Sequence, residues 1–318
     1  MACKTRFSNL KLVNYWFAVV VVLVSACATA TAQIEITLKN TFIEKYKGRA
    51  TIDANFTVDK AHKKPNAPSK DADMHIAGRA SEIGLPAVAE IMNAASQPDS
   101  VDAIHQVEGT NQTIAMTGAW RIWCEHGGSS QQVQGAKLDK ITTTNPDHVF
   151  EIHPITHLGQ TSLLETLHAI DGYQPKDASQ AFLSYENKKS HVGLKKGKTT
   201  ITTTMGGFNY VDFIMRINGD QREATDGRFV MAQVLDLDGN LLVQNRRMVF
   251  VKDSGPDKLV KALIRGSCLR VLGIPRIDLS VISWRMRNGT ARPEVLDWNL
   301  PYEMIVVAAQ EETENCQE

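Results

Sequence analysis

The chain predicts a mainly β fold: two tandem five-stranded Greek-key barrels joined by a partly helical connector. Three observations predict it. Short stretches in which apolar and polar residues alternate recur along the whole length, as half-buried strands require. They fall in the order three strands, a helical or irregular connection, two strands, and that order comes twice. At 318 residues, 43% hydrophobic and 22% charged, the chain has the length and the apolar content for two cores.

Lys4, Arg6 and Lys11 precede the apolar run Trp16 to Val24, and small residues follow up to Ala32. This is the pattern of a secretory signal over residues 1–32, too short in its apolar part for the roughly 20 residues of a membrane span. Ala30-Thr31-Ala32 suits ordinary cleavage, whereas Val24-Ser25-Ala26-Cys27 has the form of a lipobox, with residues 1–26 removed and Cys27 lipidated. Either route exports the protein to the periplasm, the cell envelope or beyond, and a lipid on Cys27 would be its membrane attachment. Without the three signal cations, 32 basic residues stand against 35 acidic ones, so the mature charge gives no general attraction to nucleic acid. Cys124, Cys268 and Cys316 remain, an odd set that can form one pair at most.

The first barrel is expected within residues 33–160. Ile34 to Leu38 and Arg49 to Val58 alternate, Lys60 to Ala72 is a polar loop, and Met74 to Ala80 and Pro86 to Met92 form a strand pair turning at Gly84. Ser100 to Ala103 is the helical part of a polar connection. Thr113 to Trp123 is a long strand with Gly118 where it would bulge, and His148 to Ile155 closes the set, with Pro154 at its end. Residues 161–200 read as the connector, with helical spacing in Ser162 to Ile170 and Ala178 to Tyr185, then a basic, solvated stretch from Lys188 to Lys198.

The second barrel, residues 201–310, starts with Tyr210 to Ile217 and continues with Phe229 to Asp236 and Leu241 to Val251, a hairpin with an Asp238-Gly239 turn. Pro256 to Ile264 is helical, Val271 to Met286 gives one or two strands, and Tyr302 to Ala309 the last. Residues 311–318 form an acidic, frayed tail. Three strands, a helix and two strands is the order of the OB type of barrel.

Chemistry-bearing side chains concentrate in the first barrel. Asp73 and His75 open one strand, Glu90 lies on the next, Glu125-His126-Gly127-Gly128 ends the tryptophan strand, and Glu151 and His153 share one face of the last. The set resembles an uncharacterised bacterial extracellular OB-like domain. In that domain an Asp-Gly-Asp-aromatic-His strand start, a Glu-Ile-Pro, a His-Gly strand end and a closing Glu-(Ile/Leu)-His-Pro recur in that order. The resemblance covers residues 70–157, with Ala72 in place of the glycine, Met74 of the aromatic and Met92 of the proline. It implies a fold and no activity.

Three readings of Asp73, His75, Glu90, His126, Glu151 and His153 stand side by side. They form a buried hydrogen-bonded network. They line a recognition surface, with Trp120, Trp123 and Phe150 as stacking platforms. Or His75, His126, Glu151 and His153 hold a divalent metal such as zinc, structural or hydrolytic. The binding reading needs no cofactor and takes a glycan, a nucleic acid or an envelope protein as partner. In the second barrel, Arg246-Arg247 and the pair Arg285 and Arg287 are cations that could meet phosphate or carboxylate, against the plainer reading that they decorate a solvated strand edge. Cys268, in an apolar context, reads as a small core residue. No nucleophile elbow, phosphate-binding loop, His-Glu-x-x-His or Cys-x-x-Cys motif is present.

Overall fold

A computed structural model describes residues 33–128, 131–288 and 297–316, which lie in one compact unit. The signal segment and Cys27 lie outside them.

In chain order the elements are β1 (Gln33–Lys39), α1 (Asn40–Tyr46), β2 (Thr51–Ala61), β3 (Met74–Arg79), β4 (Ala87–Ile91), α2 (Pro98–Val107), β5 (Thr113–Ile122), β6 (Gln131–Val133), β7 (Phe150–Leu158), β8 (Thr161–Ser162), β9 (Lys176–Asp177) and α3 (Ala178–Asn187). They continue as β10 (Lys189–Lys195), β11 (Lys198–Thr204), β12 (Val211–Ala224), β13 (Gly227–Leu235), β14 (Leu241–Val251), α4 (Gly255–Lys261), β15 (Cys268–Ile277), α5 (Leu279–Asn288), β16 (Asp297–Asn299) and β17 (Tyr302–Glu312).

Strands β2, β3, β4, β5 and β7 form the first barrel. Antiparallel pairing runs β4-β3-β2-β5-β7, and a parallel pairing of β4 with β7, Val88 opposite Glu151, closes it. Strands β12, β13, β14, β15 and β17 repeat the topology: β12 pairs with both β13 and β15, and β14 closes on β17 in parallel, Val249 opposite Ile305. Helices α2 and α4 occupy the same place, between the third and fourth strands. Both barrels are therefore of the five-stranded OB type. Ser254 starts α4 by accepting a hydrogen bond from the Asp257 amide, and Pro256 in the first turn loses no helical bond.

The structure departs from the sequence expectation in five places. A third sheet, β16-β10-β11-β1-β6, takes in Ile34 to Leu38, which pair with β11 across more than 160 residues and not with the first barrel. The connector is accordingly half strand: Lys188 to Lys198 is a hairpin turning at Lys196-Gly197, with Gly197 at φ 74°, and Ser162 to Ile170 holds only a single 3-10 turn. Lys189, Lys195 and Lys196 are exposed, which reads in sequence like a solvated linker, whereas Lys188 is buried and its ammonium donates to the Thr204 carbonyl. Residues 279–286 are helical, not a continuation of the preceding strand, because Asp278 caps α5 through the amides of Ser280 and Val281. The tail is held as well: β17 reaches Glu312, and Cys316 is disulfide-bonded to Cys268, so Cys268 is a bridge and Cys124 the free, buried thiol.

Pro154 does not end its strand. β7 runs through it, and the register slips at Gly118 of β5, where any Cβ would stand 2.4 Å from the Ile152 side chain and 2.5 Å from the Pro154 carbonyl oxygen. A bulge frees the proline from a ladder bond it cannot make.

The buried apolar residues of both barrels and of the third sheet belong to one continuous cluster, which takes in Phe56 and Trp120, Phe213 and Met304, and Ile36 and Ile201. A further apolar cluster, including Ala72, Met92 and Ala119 of the first barrel and Tyr210, Leu272, Ile274, Ile305 and Val307 of the second, joins the two. No helix among the described residues is long and apolar enough to cross a membrane.

Candidate functional site

Alternation along β3, β4 and β7 turns Met74, Ile76, Ala89, Ile91, Phe150 and Ile152 into the first barrel. Asp73, His75, Glu90, Glu151 and His153 are thereby turned out of it. On an isolated barrel they would be wet. Here the start of the second barrel covers them, and Asp73 and His153 are wholly buried, with Glu90 and Glu151 at 3% exposure. The pairing of His75 with Glu90, and of Ala89 with Ile152, brings all five to one patch.

His153 is its centre. Nε2 donates to the Tyr210 hydroxyl at 2.8 Å, and that hydroxyl donates to Asp73 Oδ2 at 2.7 Å. Asp73 Oδ2 is also 3.4 Å from Nε2, while Glu90 Oε2 and Glu151 Oε2 lie 3.5 and 3.4 Å from Nδ1. Glu151 is bound in turn by Arg121, whose guanidinium also donates to Glu125 and to the Pro275 carbonyl of the second barrel. His148 Nε2 is 3.4 Å from Glu151 Oε1, and its ring stacks on His126. His75 Nε2 approaches Glu90 Oε2 at 3.5 Å and its ring stacks on His62.

The electrostatics follow from burial and from these partners. Burial disfavours the His153 cation, but Glu90, Asp73 and Glu151 outweigh it and hold His153 well above the usual histidine range. Burial pushes Asp73 up to about 7 against the opposing pull of His153. Glu90 is burdened by burial yet lies below its ordinary value because of His153 and His75. Glu151 is likewise penalised by burial and lowered far more by Arg121 and His148. Burial, Asp73 and Glu90 keep the Tyr210 hydroxyl protonated. The result is an imidazolium clamped between carboxylates, with Arg121 and His148 balancing the remaining charge. Burial lowers His126, which takes no part in the clamp.

Asp73, Glu90 and His153 each present one ligand atom within 4.8 Å of the others, and Asp73 Oδ1 and Glu90 Oε2 make no hydrogen bond. These three are the residues that could hold a divalent ion. Of the metal set read from the sequence, His153 belongs to the group, His75 and Glu151 touch it through Glu90 and through His153, and His126 stands apart against His148. Both ring nitrogens of His153 already face oxygen atoms.

Trp120 and Trp123 are core residues, as is Phe150, so none of them offers a stacking face. The Trp120 indole donates to the Arg49 carbonyl, and the Arg276 guanidinium lies 3.6 Å over its ring. Arg276 itself is wholly buried between the barrels. It binds Glu303 and donates to the carbonyls of Arg49, Ala50 and Trp120. In the sequence it is one arginine after a proline in an apolar strand, with no signal of this role. The arginines assigned to a strand edge are not on one. Arg247 on the central β14 binds Glu303 and Asp278, Arg246 stacks on Tyr302 and pairs with Glu186, and Arg285 is buried on α5.

Two cavities lie away from the cluster, and neither is lined by Asp73, Glu90, Glu151 or His153. The larger is an open groove of about 840 Å³ between residues 167–178 and the β12, β15, β17 and α4 side of the second barrel. Tyr173 stands in its wall with its ring 5.6 Å from that of Tyr210, so the buried cluster, through Tyr210, braces the groove. Arg270 and Asp212 form a bidentate pair on the opposite wall, and Leu272 and Ala308 supply an apolar floor. The smaller cavity is polar and basic.

No protein-family model matches the chain, and no curated protein matches it. Among solved structures it is similar to one reported as "Structural mimicry for functional antagonism", over 85% of this chain and 99% of the other, at 8% identity and a TM-score of 0.21. It is also similar to a murine DNA binding protein bound with ds DNA, over 83% and 98%, at 10% identity and a TM-score of 0.18. A third is a replication protein A heterotrimer bound to ssDNA, over 80% of this chain and 55% of that one, at 10% identity and a TM-score of 0.18.

Proposed function

We propose that the protein is an exported, non-catalytic binding protein that takes a neutral glycan in the groove beside the second barrel. The observation that carries this reading is the groove itself. Its volume falls within the roughly 300–1,000 Å³ of small-ligand sites, and it combines an apolar floor with a few fixed polar groups. Lys176 and Arg270 stand against Asp177 and Asp212, so the walls offer hydrogen bonds without a net field. That suits hydroxyl-rich, uncharged ligands better than a polyanion. Half-buried Tyr173, held by Tyr210, offers a rigid aromatic face at low entropic cost. The enclosed His153 cluster supports the same reading, because a hydrolytic site needs a path for substrate and this one borders neither cavity.

The test is a glycan array followed by calorimetry on the mature chain. A neutral oligosaccharide should bind, and Tyr173→Ala should weaken it by roughly thirtyfold, the effect of losing a hot-spot aromatic. Binding that is unaffected by Tyr173→Ala, or a response to single-stranded DNA alone, would remove the groove from consideration. Cell fractionation of wild type and Cys27→Ala checks export and anchoring: a lipidated protein moves from the membrane to the soluble fraction on substitution.

A further inference from the structure

The second, smaller cavity is independent of the groove. Its volume is about 240 Å³, and six of its nine lining residues are basic: Lys45, Lys47, Arg49, Arg222, Arg247 and Arg287, against the single carboxylate of Glu44. These cations come from four separate parts of the chain. The end of α1 and the turn after it bring three, β12 and β14 one each, and the end of α5 the last. In the OB topology of the second barrel, β14 is the third strand and α5 lies in the connection between the fourth and fifth. That is the side on which such barrels bind ligands.

The cations divide into two kinds. Arg247 is fixed: Glu303 and Asp278 hold Nε and one terminal nitrogen, its guanidinium lies over the Phe229 ring, and its Nη1 meets no acceptor among the described residues. Arg49 is held by Asp226 and Lys47 by Glu44. Lys45, Arg222 and Arg287 are exposed and form no ion pair among the described residues. A rigid, partly neutralised floor beneath three free cations leaves excess positive charge at the mouth. The volume lies below the range usual for a whole small ligand and admits a charged head group.

We infer that this pocket binds a phosphate-class oxyanion, the terminal phosphate or pyrophosphate of a small ligand. Planar guanidinium groups converging from different elements match a tetrahedral oxyanion, and each adds a charge-assisted hydrogen bond. The site does not depend on the groove, and its ligand is of opposite electrostatic character.

The experiment uses the mature chain and inorganic pyrophosphate, with affinity read by calorimetry at low and moderate salt and by ³¹P line broadening. Wild type should bind with an affinity that falls as salt rises. Arg222→Gln and Arg287→Gln, both exposed and therefore expected to fold, should each weaken binding roughly tenfold, the worth of one hydrogen bond to a charged group. Arg270→Gln, in the groove wall, should leave it unchanged. Loss of binding in Arg270→Gln equal to that in the other two, or wild-type affinity in Arg222→Gln and Arg287→Gln, would overturn the assignment. So would binding of a single-stranded oligonucleotide with no competition from pyrophosphate, which would indicate a backbone-tracking surface in place of a head-group pocket.

Discussion

Substituting His153 by leucine tests the reading of the cluster as a structural clamp. The change removes the one cation that faces Asp73, Glu90 and Glu151 together and leaves the Tyr210 hydroxyl without its Nε2 donor. Breaking a buried ion pair by deleting one partner costs about 3–5 kcal/mol. In a unit of this size that is a fall in Tm of roughly 6–20 °C. The pH dependence supplies a second handle. His153 is raised in the folded protein, so its contribution is fully present below the unfolded histidine value of about 6.5 and is lost as pH rises through the folded one. Asp73, raised to about 7, acts in the same direction, its protonated form favouring the folded state between its unfolded value and 7. Glu90 and Glu151 are lowered, so their contribution is present above about 4.3 and fades as pH falls through their folded values. The stability difference between wild type and His153→Leu should therefore be greatest between roughly pH 4.5 and 6.5 and shrink on the alkaline side. Urea denaturation across pH 4 to 9, with and without chelator, measures it. A loss below about 1 kcal/mol would refute the clamp. A wild-type protein that chelator destabilises as much as the substitution does would replace it with a metal centre.

Two further predictions follow from single residues. Ala72 sits at φ 57°, and the other three non-glycine residues at positive φ among the described residues are Asn or Asp. Relief of the left-handed penalty, about 1–2 kcal/mol, outweighs the extra chain entropy of glycine, so Ala72→Gly should stabilise by roughly 0.5–1 kcal/mol in urea. Arg276→Met should cost about 3–5 kcal/mol, because Glu303 and three carbonyls lose their shared donor; a separation of the unfolding transition into two would place that loss at the contact between the barrels, and an unchanged midpoint would show that the arginine pins nothing.

Strand periodicity was enough to recover both barrels, because each has a dry inner face and alternation records it. It also placed Glu151 and His153 on one face and put a bulge at Gly118. It failed where the determining contact is distant. Ile34 to Leu38 alternates equally well whether it joins a barrel or the third sheet, and only its pairing with β11 separates the two. The stretch from Ser280 to Met286 has enough apolar character for a strand, yet the cap from Asp278 makes it a helix.

The candidate site divides along the same line. From the sequence alone came the residue types, Asp73, Glu90, Glu151 and His153, and their placement on one side of their strands. Whether an outward-facing polar side of a barrel is wet or buried is decided by what packs on it, and no local pattern carries that. Tertiary packing set the second barrel over the cluster and brought in Tyr210 and Arg121 as its partners. It also turned the tryptophans into core and gathered arginines from four parts of the chain around one pocket. Local periodicity determines faces, whereas burial and charge pairing across more than a hundred residues are properties of the assembled fold.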